Sequence, residues 1–252
     1  MTSFRDVVAS EWTKLWSVRS TAWSLVAAAA TVIGVTVLSG RALLGYQPDV
    51  SSADVVGVAL EGVTFGQLAV CVLAAMAITG EYGTGMIRNT LSTVPARSRL
   101  LLAKAAVVAA IALVTGVVGG LGSFLIARLV MGGPASEVSL ADPGVWRALT
   151  GTGLYLAVLA VFALAVGTIL RHSAATLATL IIGVLIMPVV LTQLGAAGKA
   201  VSRWWPSHAG FQLLHVDRLP GQLAPWAGFT VFTAATAVLL GLAALLLTRR
   251  DA

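Results

Sequence analysis

The sequence predicts an all-α, polytopic membrane protein with about six transmembrane helices. Of its 252 residues, 58% are hydrophobic and only 10% are charged, and apolar runs of spanning length recur along the chain. Soluble domains carry about 25% charged residues, whereas an apolar run of about 18 residues or more is typical of a bilayer-spanning helix. We therefore interpret residues 1–252 as a single transmembrane domain.

The apolar runs set the predicted order of the spans. The third span is over-long and has a glycine-rich middle, Gly116 to Gly122, which favours close helix packing. Lys104, near its start, is expected close to the cytoplasmic surface. In the fifth span Met187-Pro188 predicts a kink or break, because proline lacks the backbone N–H. The six predicted spans are residues 22–44, 56–79, 100–130, 146–170, 174–194 and 225–247.

The first 20 residues predict an amphipathic helix at the headgroup boundary. Aromatic and aliphatic residues recur there at helical spacing with cations among them, as in helices that lie in the membrane interface. Glu11 and Lys14 are three apart and are expected to pair on its polar side. The residues assigned to this interfacial helix are Glu11, Trp12, Lys14, Trp16 and Arg19.

Residues 195–224 are too broken to span a bilayer and too aromatic for an ordinary solvated loop. The paired Trp204 and Trp205 favour the membrane interface. We expect an extracellular interfacial segment, with short helices at or dipping into the outer boundary.

The basic residues predict the orientation. Six spans place both termini on one side together with ten of the 16 lysines and arginines. Because basic-rich segments stay cytoplasmic, we expect both termini and the loop at residues 80–99 on the cytoplasmic side of the plasma membrane. The net charge is +6, but most of the basic residues flank apolar runs and do not form a basic helix. Nucleic acid is therefore not an expected partner.

Several chemistries are not encoded. The sequence has no G-x-x-x-x-G-K-[ST] phosphate-binding loop, no H-E-x-x-H and no G-x-S-x-G, so we expect neither catalysis nor a cofactor in this chain. Cys71 lies alone in an apolar run and is interpreted as an inert core residue. His208 and His215 are seven apart near Asp217, but third and fourth metal ligands are not evident, and polar tips at the interface are favoured.

Glu61 and Gln67 are the most polar positions inside a predicted span. A carboxylate in hydrocarbon costs about 2.5 kcal/mol or more, so it usually faces protein or water. Their six-residue spacing places them on nearly opposite helix faces. Glu61 either reaches the outer interface or takes part in a transport path or proton relay, and the sequence leaves both interpretations open.

Three stretches together resemble the permease subunits of bacterial ABC exporters of the type-2 membrane family, especially small actinobacterial ones. EWTKLWSVRSTAWS, residues 11–24, is similar to the family's entry helix, and WWPSHAGFQLL, residues 204–214, to its outer segment before the last span. EYGTGMIRNTLSTVPARSRLLLAK, residues 81–104, resembles the inner loop and is the most specific match. Gly83 departs from the family, whose members often carry a basic residue there.

The resemblance implies that the inner loop forms a short coupling helix that docks on a separate ATP-binding cassette subunit. Thr84 can cap such a helix, and Glu81, Arg88 and Arg97 can pair across a wet interface. The residues that the resemblance assigns to coupling are Glu81, Tyr82, Thr84, Gly85, Arg88, Asn89, Leu91, Pro95, Arg97 and Arg99.

The resemblance also implies a substrate path along a dimer interface near the second and fifth spans. For Met187-Pro188, a simple packing kink is the other interpretation. The residues assigned to the path are Glu61, Gln67, Met187, Pro188, Thr192 and Gln193.

The implied function is the permease of an ATP-driven exporter that moves a drug, antibiotic or lipid outward. ATP and Mg would belong to the partner ATPase, and the other partners would be the lipid bilayer and a second permease, identical or homologous. One alternative is a self-contained secondary transporter, but the inverted repeats typical of that class are not visible in the sequence. The other alternative is a non-transporting immunity or scaffold protein.

Overall fold

The computed structural model describes residues 3–17, 19–43, 50–87 and 96–249, and within these ranges the chain is helical with no strands. The first five helices are α1 (Phe4–Ser17), α2 (Arg19–Leu43), α3 (Ser52–Glu61), α4 (Val63–Gly83) and α5 (Arg97–Met131). A 3-10 turn at Gly133–Glu137 leads to α6 (Val145–Leu170), α7 (Ser173–Leu180), a π-helix (Ile181–Ile186) and α8 (Met187–Gln193). The chain ends with α9 (Gly195–Ser202), α10 (Pro206–Phe211), a 3-10 turn at Gln212–Leu214 and α11 (Pro225–Arg249).

Six stretches of these helices are long and apolar enough to cross a membrane, which confirms the predicted all-α, six-span fold. They are Ala22–Leu43, Ser52–Gly83, Arg97–Met131, Val145–Leu170, Ser173–Gln193 and Pro225–Arg249. The predicted end of the first span, Leu44, lies outside the described residues.

The second, third and fourth spans form the centre of the bundle. In the second and fourth spans, 61% of the residues in the most apolar 18-residue stretch are buried, compared with 11% in the first span, 17% in the fifth and 22% in the sixth. Gly116 shows how closely the central helices pack, because a Cβ on it would lie 2.6 Å from the Cα of Gly153 on α6. The predicted role of small residues is thus confirmed at Gly116, whereas Gly119 and Gly122 face open space.

The second span is one stretch, Ser52–Gly83, as predicted, but it contains a turn at one residue that the sequence did not predict. It is interrupted at Gly62, between α3 and α4, where the backbone of α2 approaches so closely that a Cβ would lie 2.6 Å from the Cα of Val32. Glu61 is the last residue of α3 and is exposed.

The fifth span is interrupted where Met187-Pro188 predicted it. The interruption is the π-helix, in which the Met187 N–H bonds to the carbonyl of Ile182, five residues back. The same spacing would pair the carbonyl of Gly183 with residue 188, which is a proline and has no N–H. Instead, the indole Nε1 of Trp205 donates to the Gly183 carbonyl at 2.7 Å. The segment after the fifth span therefore folds back and completes the hydrogen bonding of this broken helix.

Two ends of the bundle can be distinguished by the position of α1. At the α1 end, Arg97 Nη1 at the start of α5 donates to the carbonyl of Leu247 near the end of α11 at 2.8 Å, so these two helix ends lie together. At the opposite end, the Arg147 guanidinium on α6 donates to the carbonyls of Leu213, His215 and Val216 at 3.2, 2.9 and 2.7 Å.

Candidate functional site

The candidate site begins with the buried face of α1. Val7 and Glu11, one turn apart, are the buried residues of this helix, and Val7 packs against Leu100 and Ala103 of α5. The aromatic residues Trp12 and Trp16 point away from this contact and are about half exposed. Glu11 was expected on the polar side of α1, but it is only 2% exposed because this face docks on the bundle. Arg19, assigned to the interfacial helix, begins α2 instead.

Four charged side chains from three helices meet at this end and form a charge cluster: Glu11, Lys14, Glu81 and Lys104. The Lys104 ammonium lies at its centre and donates to Glu11 Oε2 at 2.6 Å, to Glu81 Oε1 at 2.7 Å and to the Ala77 carbonyl at 3.1 Å. Lys14 closes the ring from α1, with its Nζ 2.8 Å from Glu11 Oε1 and 3.3 Å from Glu81 Oε1. The predicted Glu11–Lys14 pair is therefore confirmed, although it is one part of a larger cluster.

The charge cluster contains two carboxylates and two ammonium groups, so its formal charges balance. Lys104 was expected near the surface, but its side chain is 2% exposed because it reaches between α1 and α4. Burial alone lowers the pKa of Lys14, but hydrogen bonding and charge attraction from Glu11, followed by Glu81, outweigh it, so the net pKa is raised. The cluster joins α1, α4 and α5, and removing one partner of such a buried ion pair would leave an uncompensated charge.

The charge cluster stands directly before the segment that was predicted to couple to an ATPase. That loop was expected to start at residue 80, but α4 continues to Gly83, so Glu81 and Tyr82 belong to the last turn of the second span. Thr84 Oγ1 donates back to the Gly80 carbonyl at 2.9 Å. Met86 and Ile87 beyond it are helical again, and a cap by Thr84 on that helix stays a prediction.

The chain then leaves α4 through Gly85, whose φ of +70° favours glycine. The predicted coupling residues Arg88, Asn89, Leu91 and Pro95 lie outside the described residues.

Further contacts hold the same end of α4 to the later spans. The Arg171 guanidinium lies 5.2 Å from the ring centre of Tyr82, and Ser173 Oγ donates to Thr79 Oγ1 at 3.0 Å. Arg97 bonds to α11, as described above, and Arg99 is exposed. The last turn of α4 is therefore tied to α1, α5, α7 and the turn between α6 and α7.

The residues predicted to line a substrate path lie in two separate places. Gln67 is buried, accepts a 2.6 Å hydrogen bond from the Tyr155 hydroxyl, and borders a cavity of about 460 Å³ between α2, α4 and α5. This cavity has no lining residue from the fifth span. On that span Met187 and Thr192 are half-buried, Pro188 is buried and Gln193 is exposed. A path joining the two groups stays a prediction.

The sequence of the chain matches a family model described as an ABC-2 family transporter protein over residues 7–188, which is more than half of the 252 residues. The chain belongs to the ABC-2 transporter family. The match includes all four residues of the charge cluster. Comparison with curated proteins finds no matching relative for this permease.

Sequence reasoning missed most of the polar contacts that shape this permease. It identified Glu11 and Lys14 as a pair but not their contacts with Glu81 and Lys104. Those partners are distant in the chain: Glu81 is 67 residues after Lys14, and Lys104 is 93 residues after Glu11. A signal was present: Lys104 lies inside an apolar run, where a cation requires a partner. The hydrogen bond from Tyr155 to Gln67 had the same kind of signal, a lone amide inside a span.

Proposed function

We propose that this permease is the membrane-spanning subunit of an ATP-driven exporter, and that the charge cluster transmits movement from a separate ATPase to the helices. The observation that carries the proposal is the position of Glu81. Its Oε1 atom accepts hydrogen bonds from both Lys14 and Lys104, and it lies in the last turn of α4, just before the segment at residues 84–96. A displacement of that segment moves Glu81 with it or breaks its ion pairs.

The proposal assigns each region a side and a partner. The α1 end faces the bacterial cytoplasm, where an ATP-binding cassette subunit holding ATP and Mg docks on residues 84–96. The substrate is hydrophobic or amphipathic and moves outward. The family membership supports a transport subunit, and the basic residues near α1 and the chain end support this orientation.

The test uses the permease co-expressed with its ATPase and reconstituted in vesicles. Glu81→Gln preserves side-chain size and removes one charge of the cluster. We expect it to co-purify with the ATPase but to lose most of the permease-dependent ATP hydrolysis, and Lys14→Gln, at a partly exposed position, to lose part of it. The matched control is Glu137→Gln, an exposed carboxylate outside the cluster.

Each outcome of this test bears on a different part of the proposal. Substrate movement in vesicles without any ATPase would favour a secondary transporter. A permease that neither transports nor stimulates an ATPase would favour a scaffold or immunity role. Wild-type ATP hydrolysis and transport by folded Glu81→Gln would contradict the role of the charge cluster while leaving the exporter assignment intact. Folding of each variant is checked by its elution profile and melting temperature.

We also propose that two permease copies pair through the fifth span. Ile182, Ile186 and Val189 of this span are each more than 40% exposed and recur at helical spacing, which leaves an apolar stripe for a partner or for lipid. A cysteine at Val189 should cross-link two copies in the membrane, whereas one at Leu129, which is 83% exposed on α5, should not. The native Cys71 is buried and should not interfere. Equal cross-linking at both positions would contradict this interface.

A further inference from the structure

The cavity of about 460 Å³ beside Gln67 opens on the surface of the bundle between α2 and α5. Its outer edge is formed by Ile33 of α2 and by Val114 and Val118 of α5, which are 45%, 62% and 65% exposed. Its inner wall reaches the central helices, where Gln67 on α4 and Thr152 on α6 are 3% and 1% exposed. The cavity therefore runs from the outer surface of the bundle to its buried centre.

The cavity lies at the depth of the hydrocarbon core. At a rise of 1.5 Å per residue, Val114 of α5 lies about 15 Å beyond Lys104, and Val70 of α4 lies about 17 Å beyond Glu81. Because the charge cluster lies at the α1 end of these spans, both helices place the near end of the cavity about half-way through a core of about 30 Å. The cavity extends from there into the half of the membrane away from α1.

The walls of the cavity favour an uncharged, apolar molecule. Among the residues that the structure describes, no Asp, Glu, Lys, Arg or His lines it. The hydroxyls of Thr115, Ser123 and Thr152 already donate to carbonyls of their own helices at 2.7, 3.1 and 3.1 Å, and Gln67 accepts from Tyr155. A charged group placed here would lose its hydration without gaining a partner, which is costly.

The shape and the surroundings of the cavity indicate a hydrocarbon chain. Its lining residues on α5 run from Val114 to Ile126, about 18 Å along the helix, so the cavity is elongated. Its volume lies within the roughly 300–1,000 Å³ of sites that hold a small molecule. It opens at a depth where the medium outside the protein is lipid acyl chains and not water. A chain that enters gains dispersion contacts with walls that otherwise have no atoms opposite them.

We propose that this cavity binds one acyl chain of a phospholipid, inserted between the first and third spans from the half of the membrane away from α1. Gly119 and Gly122 leave room for the chain, since an added Cβ at either glycine would meet no side chain and no neighbouring helix within 4 Å among the described residues. The chain packs against α2, which belongs to the least buried of the six spans. The site belongs to the permease alone, so it is tested without an ATPase and does not depend on the proposed exporter function.

A photoactivatable phospholipid tests the site. The full-length permease is reconstituted in phosphatidylcholine vesicles that contain a small fraction of phosphatidylcholine with a diazirine midway along one acyl chain, and cross-linked residues are mapped by mass spectrometry after irradiation. We expect cross-links at Gln67 or Thr152, because lipid that merely surrounds the bundle does not reach side chains that are almost fully buried. Leu38 on α2, which is 71% exposed and does not line the cavity, records background labelling. The same lipid with its diazirine in the headgroup should label neither buried residue.

Matched glycine variants test whether the label reaches these residues through the cavity. Gly119→Leu places a side chain in the cavity, and Gly122→Leu is a second variant that does the same. Gly241→Leu on α11 is the control, because this exposed glycine also has nothing within 4 Å of an added Cβ but does not line the cavity. We expect each filling variant to lower cross-linking of Gln67 and Thr152 at least tenfold with labelling of Leu38 unchanged, and Gly241→Leu to have no effect.

Three results would contradict the site. The first is a wild-type permease labelled at Leu38 but not at Gln67 or Thr152, which is also the result expected if a second permease copy covers this face. The second is wild-type labelling of the buried residues in a folded filling variant, as judged by elution profile and melting temperature. The third is equal labelling of these residues by the headgroup and acyl-chain diazirines.

Discussion

Lys104 on α5 and Glu11 on α1 form an ion pair with a distance of 2.6 Å in which both side chains are almost fully buried. The two residues are 93 positions apart. An amphipathic helix at a membrane surface normally presents its charges to water, but α1 turns its carboxylate into the bundle and its aromatic residues outward. The N-terminal helix is therefore an integral part of the helix packing at this end of the molecule.

Replacing Lys104 with methionine should strongly destabilise the permease. The change leaves Glu11 and Glu81 buried without the cation that bridges them, and breaking a buried ion pair in this way costs about 3–5 kcal/mol. Thermal unfolding in detergent should show a markedly lower midpoint. Lys199→Met, at an exposed position on α9, is the matched control and should change the free energy of unfolding by less than about 0.5 kcal/mol. Equal midpoints for the two variants would contradict the buried cluster.

Alanine at Gly116 should disturb the central contact between α5 and α6. Its Cβ would lie 2.6 Å from the Cα of Gly153, a backbone atom that cannot move aside, and overpacking of this kind costs about 1–3 kcal/mol. Gly119→Ala lies on the same helix with nothing within 4 Å of the new Cβ, so it should be neutral or slightly stabilising. Unfolding midpoints measured side by side check the difference, and an equal loss in both variants would mean that the helices are not in this register.

The hydrogen bond from Trp205 to Gly183 can be measured with a double-mutant cycle. Trp205→Phe leaves the Gly183 carbonyl without its indole donor and should lower the free energy of unfolding by about 1 kcal/mol. In a Pro188→Ala background the backbone N–H returns, so the same change should cost less. The cycle is evaluated from unfolding midpoints of the four proteins. Independent effects of the two changes would show that proline and tryptophan do not share this carbonyl.

The histidines before the last span should make the permease less stable in mild acid. Burial, followed by His208 and Arg147, lowers the pKa of His215, and burial lowers that of His208. A histidine whose pKa is lowered in the folded state stays neutral there while the unfolded chain takes up a proton. Its contribution to the free energy of unfolding is therefore complete above pH about 6.5 and is lost as the pH falls through the folded-state pKa. The double variant His208→Gln/His215→Gln should lose less stability between pH 7 and pH 5 than the wild type.

The control for this pH effect is Lys199→Met at an exposed position, which should follow the wild type. Identical acid dependence in all three proteins would show that these histidines do not titrate with unfolding.

The sequence predicted the features that depend on neighbouring residues in the chain, and it missed those that depend on contacts with other helices. The six spans follow from apolar runs, and the interruption at Met187-Pro188 follows from the missing proline N–H, so both were readable along the chain. The close approach of α2 at Gly62 was missed because the Val32 backbone that Gly62 meets lies on another helix. The positions of Glu81 and Lys104 were misjudged for the same reason: each was assigned to a wet surface from its neighbours in sequence, whereas buried ionic partners determine its place.

The ion pairs of Lys104 also constrain the order in which the chain can assemble in the membrane. Glu11 is synthesised first, and its buried partner follows 93 residues later, at the start of α5. Until then the ion-pair partner of Glu11 on the same helix is Lys14, and because burying a carboxylate in hydrocarbon is costly, we expect α1 to stay at the hydrated surface until Lys104 arrives. We therefore expect docking of the N-terminal helix to be completed only when the third span enters the bilayer.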